Sequence, residues 1–250
     1  MTRPIALITG VGRTVNIGAG IARTLAADGW DLALSHWTPA DEAVFGGAAS
    51  DGLDDLLTEL AASGARVVAI PADLERTDAA ASVISQAREL LGPLDALVLS
   101  HAWGVDSGLL ETSVEQFDKH FAINTRASWM LIVEFARQAR SGGAIVALTS
   151  DHTAGNLPYG ASKGALDRIV IAAAKELAPR GISANLVNPG PIDTGWMDDA
   201  TRSWLTGMQP NGRLGTPSDT ANLVAFLLSE KGRWVTGQLL KSDGGFSISV

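Results

Sequence analysis

The sequence contains no cysteine, and that absence alone removes disulfides, thiol nucleophiles, iron–sulfur clusters and cysteine-ligated zinc. Histidine is scarce: His36, His101, His120 and His152 are scattered and lack the spacing of a helical metal-binding pair, so nothing points to a metal. No apolar run approaches the ~20 residues that a membrane helix needs. The apolar stretch 5–8 is cut by Thr9 and Gly10, too short for a signal-peptide core, so a cytoplasmic protein is expected. Positive charge is in deficit, with 19 Lys and Arg against 27 Asp and Glu and a formal net charge of −8. Such a surface repels phosphate backbones and anionic lipid, so neither nucleic acid nor a membrane is the predicted partner. Aromatic residues make up only 6% of the chain, and a single one is tyrosine, Tyr159.

What is present reads as one large α/β domain. The chain has 250 residues, 46% of them hydrophobic, and 27 glycines, a globular composition rich in tight turns. Strand-length apolar runs lie near 5–9, 32–35, 67–71, 96–100, 144–149, 183–187 and 238–242. Helical periodicity falls between them, near 17–27, 53–62, 79–91, 114–140, 159–178 and 218–228. In the first helix Ile21, Leu25 and Ala26 share a face, and Gly29 stands where a left-handed stop belongs. Strand–helix alternation predicts right-handed crossovers and a doubly wound parallel sheet, a Rossmann-type fold over 1–250 with ligands beyond the strands' carboxyl ends. Two irregular stretches, 37–52 and 189–216, interrupt the pattern; within the second, 191–215 has the length of a substrate lid.

Gly10, Gly12 and Gly18 follow the first strand and open the first helix, with Arg13, Asn16 and Ile17 among them. A glycine-rich strand-to-helix turn lets backbone approach a pyrophosphate, and the helix N-terminus offers unpaired N–H groups. The full G-x-G-x-x-G spacing is not met, so a turn serving only strand–helix packing is the plain alternative. The second strand ends Ser35-His36-Trp37 without the carboxylate that would bind a ribose 2′-hydroxyl. Arg13 can pair with a 2′-phosphate through its guanidinium fork. Together these favour NADP(H) over NAD(H).

Tyr159 and Lys163 stand four apart at the start of a helical stretch, so they share a face. A nearby ammonium favours phenolate and is expected to lower the tyrosine pKa from about 10 towards neutral acid–base work. An exposed Tyr/Lys pair is the bland alternative, and the rarity of tyrosine here weighs against it.

From these landmarks the chain resembles the short-chain dehydrogenase/reductase family over nearly its whole length, particularly its bacterial 3-oxoacyl-acyl carrier protein reductase-like members. The matching segments are Thr9-Gly10…Asn16-Ile17-Gly18, Ala72-Asp73-Leu74, Asn124, Ser150, Tyr159/Lys163, Asn188-Pro189-Gly190-Pro191-Ile192-Asp193-Thr194 and Asp243-Gly244-Gly245. The resemblance implies that Tyr159 exchanges the substrate proton and that Lys163 tunes it and binds the nicotinamide ribose. It implies that Ser150 holds the substrate oxygen and that Asn124 positions a water linking Lys163 to solvent. Asp73 and Leu74 would flank the adenine, and Ser100 and Ala102 would line the cofactor. Pro189, Gly190, Ile192 and Thr194 would do so at the nicotinamide end. A homo-oligomer, usually a tetramer, and a small carbonyl or alcohol substrate, such as a 3-oxoacyl or polyketide-like ketone, are also implied.

Three departures stand out. The glycine loop is about two residues longer than usual in the family, with Asn16 at a glycine's place, where a left-handed turn is expected to survive. The segment after the fourth strand reads Ser100-His101-Ala102-Trp103. Ser150 and Tyr159 are nine positions apart, which shortens the intervening loop and leaves Thr149 or Thr153 as alternative hydroxyls should the register slip. His101, Trp103, His152, Trp196 and Trp204 are candidates for substrate contact. Trp129 and Phe135 are expected in the core or at a subunit contact. The competing function is a non-catalytic NADP(H)-binding sensor on the same fold. Divergent enoyl reductases and halohydrin dehalogenases resemble this fold but differ at the Tyr159/Lys163 spacing and at Lys163 respectively.

Overall fold

The computed structural model describes residues 3–45, 52–139, 142–195 and 197–248. Seven strands form one sheet in the order β3-β2-β1-β4-β5-β6-β7. They are β1 (Ile5–Thr9), β2 (Asp31–His36), β3 (Val67–Pro71), β4 (Ala96–Leu99), β5 (Gly143–Leu148), β6 (Ile182–Asn188) and β7 (Leu239–Lys241). Every pairing is parallel, and the order reverses between β1 and β4. That reversal leaves a crevice at the carboxyl ends of β1 and β4, where such sheets bind ligands.

The alternation of strand side chains divides the core in two. From β1, Ile5 and Leu7 join one cluster, while Ala6 and Ile8 join the other. The first cluster packs the sheet against α4 (Ala79–Leu91), α6 (Ser128–Gln138) and α7 (Leu157–Leu177). The second packs it against α1 (Ile17–Ala27), α3 (Leu53–Ala62) and α9 (Pro217–Leu228). Gly20 permits the close α1–α9 approach, since a β-carbon there would sit 2.5 Å from Pro217 Cβ. Gly29 does end α1 in the left-handed region, at φ +89°.

All seven expected strands form, with ends shifted by a residue or two. The helices depart more. Of the stretch read as irregular at 37–52, positions 46–51 lie outside the described residues, and 38–45 is α2 (Thr38–Phe45), which the sequence hides because its apolar periodicity is weak. Pro39 and Asp41 in its first turn are the start signals that were there to use. Likewise α8 (Asp199–Met208) lies inside the second irregular stretch, capped by the Asp198 side chain accepting from Thr201 N at 2.7 Å. The single helix expected over 114–140 is interrupted: α5 (Val114–His120) passes into a π-turn (Phe121–Ala127) before α6. Position 140 lies outside the described residues. Phe135 is fully buried in the first cluster, whereas Trp129 is half exposed.

The Phe135 ring anchors this face, lying 3.0 Å from the position a β-carbon on Gly143 would take. Replacing it by alanine leaves a cavity in the first cluster. Phe135→Ala should lower the unfolding free energy by about 3–5 kcal/mol in urea titrations, and a loss under 1 kcal/mol would contradict this packing.

Candidate active site

The glycine loop is built around Asn16. Its side-chain oxygen accepts from Ala19 N at 2.8 Å, capping α1, while its amide nitrogen donates to the Gly10 carbonyl at 2.9 Å. The left-handed turn expected at Asn16 does not occur; its φ of −82° and ψ of 169° are extended, as an N-cap requires. One amide thus closes the longer loop on itself. Gly10 takes the positive φ instead, +74°, and a β-carbon there would lie 2.6 Å from His101 Cα. Gly18 is similarly constrained, 3.0 Å from the Gly10 carbonyl oxygen. Ile17 opens the helix behind it. Close backbone over a helix N-terminus fits a dinucleotide pyrophosphate.

Arg13 reaches across this cleft. Its guanidinium donates to the Thr194 carbonyl at 3.0 Å, joining the glycine loop to the segment after β6. His36 ends β2 with its Nδ1 buried, and burial lowers its pKa. Asp73 accepts from Glu75 N, Leu74 is buried, and Ala102 is exposed. Pro189 and Gly190 follow β6 as a tight turn, Gly190 at φ +63° and with Asp243 leaving no room for a β-carbon. Ile192 is buried and forms an isolated parallel bridge with Gly215, which pins the two ends of 191–215 together.

At the far side, α7 begins two residues before Tyr159, and Lys163 points back under it. The ammonium is buried, donates to the carbonyl of Leu148 at the end of β5 at 2.9 Å, and lies 5.7 Å from the Tyr159 ring centre. Burial lowers the Lys163 pKa to about 8, with Asp167 opposing. Asp167 is the next residue on the same i, i+4 row; burial raises its carboxyl, and it accepts a hydrogen bond from Thr149 at 2.5 Å. The sequence reading missed Asp167, although the 159/163 spacing extended once more finds it.

The expected direction for Tyr159 is corrected. Burial pushes its phenol up to about 12. The Lys163 charge, committed to Leu148, does not reverse desolvation.

Hydroxyl registers are settled by the strand. Thr149 N still follows the β6 ladder, donating to Val187 O, while the Thr149 side chain is turned inward to Asp167. Ser150 is the next residue, half-buried at the strand's mouth, with its oxygen accepting from His152 N at 3.2 Å. Thr153 and His152 are exposed. The shortened loop folds against Gly160, where a β-carbon would meet the His152 carbonyl oxygen at 2.1 Å.

The loop after β4 forms the opposite wall and is held by buried polar groups. Asn124, in the π-turn, accepts from Trp103 N at 2.7 Å and donates to Trp103 O and Ser162 Oγ, each at 2.9 Å. His120 accepts from Val105 N at 3.1 Å and donates to Gln116 O at 2.7 Å. Trp103 carries the Lys119 ammonium 4.1 Å above its ring, and Gly104 packs against the Tyr159 ring. His101 is buried with both ring nitrogens occupied: Nδ1 meets Thr9 Oγ1 at 2.6 Å and Nε2 meets Ile123 O at 3.1 Å. Only the tautomer with the proton on Nε2 can satisfy that carbonyl. The imidazole therefore staples β1 to the π-turn and faces the protein interior. Trp204, on α8, is 63% exposed; Trp196 lies outside the described residues.

A family model described as enoyl-(acyl carrier protein) reductase matches residues 10–247. The chain belongs to the short-chain dehydrogenase/reductase family. It is an oxidoreductase. It is similar to the oxidoreductase YjdA of Bacillus subtilis, at 36% identity over 97% of this chain and 96% of that one. Versicolorin reductase 1 of Dothistroma septosporum is 32% identical, covering 96% of this chain and 95% of the relative. Among solved structures, a blue fluorescent protein from a metagenomic library in complex with NADPH superposes with TM-score 0.87. It is 34% identical over 98% of each chain. Among the described residues no helix is long and apolar enough to cross a membrane.

The His101 staple has a pH signature. Burial, aided by the Lys163 charge, lowers its pKa to about 3 from 6.5. The unfolded chain therefore binds the extra proton between these values, and stability falls as pH drops below 6.5. His101→Asn should flatten that fall by up to ~1.4 kcal/mol per pH unit in urea unfolding across a pH series. Parallel curves for the two proteins would mean a solvated imidazole.

Proposed function

We propose that this oxidoreductase reduces a ketone or aldehyde, or oxidises the matching alcohol, using NADP(H) in preference to NAD(H), with Tyr159 as proton donor or acceptor. The observation that carries this reading is the buried Lys163 ammonium beneath the half-buried Tyr159, beside a glycine cradle that fits a dinucleotide. Bound nicotinamide supplies or accepts the hydride. The Ser150 hydroxyl orients the substrate oxygen. Tyr159, with its phenol held at about 12, stays protonated at neutral pH and has a proton to give when that oxygen gains charge. Lys163 favours the phenolate that results, and its remaining donors suit a ribose hydroxyl. Asn124 acts by fixing the Trp103 wall, alongside the water link to Lys163 implied by the family resemblance. Gly10, Ile17 and Gly18 take the pyrophosphate, Gly12 and Arg13 the adenosine ribose, Asp73 and Leu74 the adenine, and Pro189 to Thr194 the nicotinamide.

The NADP(H) preference is supported by the absence of a carboxylate at 35–37, by Arg13 in the loop and by the NADPH complex of a structural relative. A polyketide-like or 3-oxoacyl ketone suits the similarity to versicolorin reductase. Within this reading, 191–215 covers the substrate and the protein works in the cytoplasm as a homo-oligomer. Tyr159→Phe should cut ketone-dependent NADPH oxidation by at least ~100-fold while leaving NADPH affinity nearly unchanged. Undiminished turnover would remove the proposal. Tight NADPH binding by the unaltered protein with no turnover across a broad carbonyl panel would favour the sensor instead.

A further inference from the structure

A carboxylate lies against the glycine cradle. Helix α2 lowers Asp41 onto the first loop, so that a β-carbon built on Gly12 would meet Asp41 Oδ2 at 1.8 Å and Cγ at 2.9 Å. Partial burial raises its pKa, and the adjoining Arg13 opposes that rise with a positive field that favours the ionised form. His36 ends the neighbouring strand, its Nδ1 buried without a hydrogen-bond partner. The ends of β1 and β2 bound this corner, and a doubly wound sheet places the adenosine ribose of a dinucleotide there. The carboxylate that the second strand lacks is thus delivered by the next helix.

We propose that Asp41 is a specificity-determining residue for the dinucleotide: its carboxylate disfavours a 2′-phosphate at this corner and tolerates a 2′-hydroxyl. The proposal rests on the cofactor reading above. A phosphomonoester carries about −1.5 to −2 charges at neutral pH, so it meets Asp41 as like charge, whereas a ribose hydroxyl can donate to it. Asp41 also sits beside Arg13, so it offsets the positive field that would otherwise attract the phosphate. The NADP(H) preference is then a balance between these two neighbours, held below what Arg13 alone would give.

Calorimetric titration of the full-length protein with NADPH and with NADH tests this without any turnover. Asp41→Asn keeps the side-chain shape and removes the charge; Asp41→Ser removes both. In each variant the NADPH Kd should fall by ~10-fold or more, while the NADH Kd stays within about twofold or rises. Unchanged or weakened NADPH binding in both variants overturns the proposal, the weakened case indicating that Asp41 aims Arg13 at the phosphate. An unaltered protein that binds neither dinucleotide removes the cofactor reading and this proposal with it. An unaltered protein that binds NADPH, with variants that behave like it, removes only this proposal.

Discussion

The site depends on keeping an ammonium charged where water barely reaches it. Lys163 is buried beneath the mouth of β5, and desolvation works against its charge. The Leu148 carbonyl at 2.9 Å and the field of Asp167 offset that cost. Both partners come from the local fold: Leu148 is where β5 stops, and Asp167 is one turn further along α7. Thr149 in turn holds Asp167, so strand end, helix face and titrating groups form one unit. Tyr159, one turn before Lys163 on the same helix, inherits its position from this arrangement.

The walls of the cleft follow a similar principle, with buried polar side chains bonding to backbone. Asn16 closes the glycine loop, Asn124 clamps Trp103, His120 holds Val105, and His101 joins Thr9 to the π-turn. Each satisfies main-chain groups that an irregular loop would otherwise leave unpaired. Loops held this way can present side chains on fixed geometry, which suits positioning a substrate beside a hydride donor. The π-turn belongs to the same design, since such turns cluster at functional sites and here it carries Asn124.

Strand positions were legible because buried parallel strands read as near-continuous apolar runs, and the glycine loop and the 159/163 spacing announced the two ends of the site. Elements with weak patterning stayed hidden. Helix α2 has little apolar periodicity, and Leu205 is the one residue of α8 that is buried. The π-turn keeps helical periodicity on both sides and so leaves no break to read. Electrostatic direction was the deeper difficulty: the charge of Lys163 was visible in sequence, whereas the desolvation that outweighs it at Tyr159 depends on packing. Asp41 was invisible as a neighbour of the glycine loop because nothing in 37–52 indicates that this helix folds back over Gly12.

Because Tyr159 is the only tyrosine, near-ultraviolet absorbance reports the ionisation of one known group. Titrating the folded protein to pH 10 therefore tests the Tyr159/Lys163 pair directly. A phenol held at about 12 stays almost wholly protonated there. A group half-ionised at pH 10, as an ordinary solvated tyrosine is, would contradict the account.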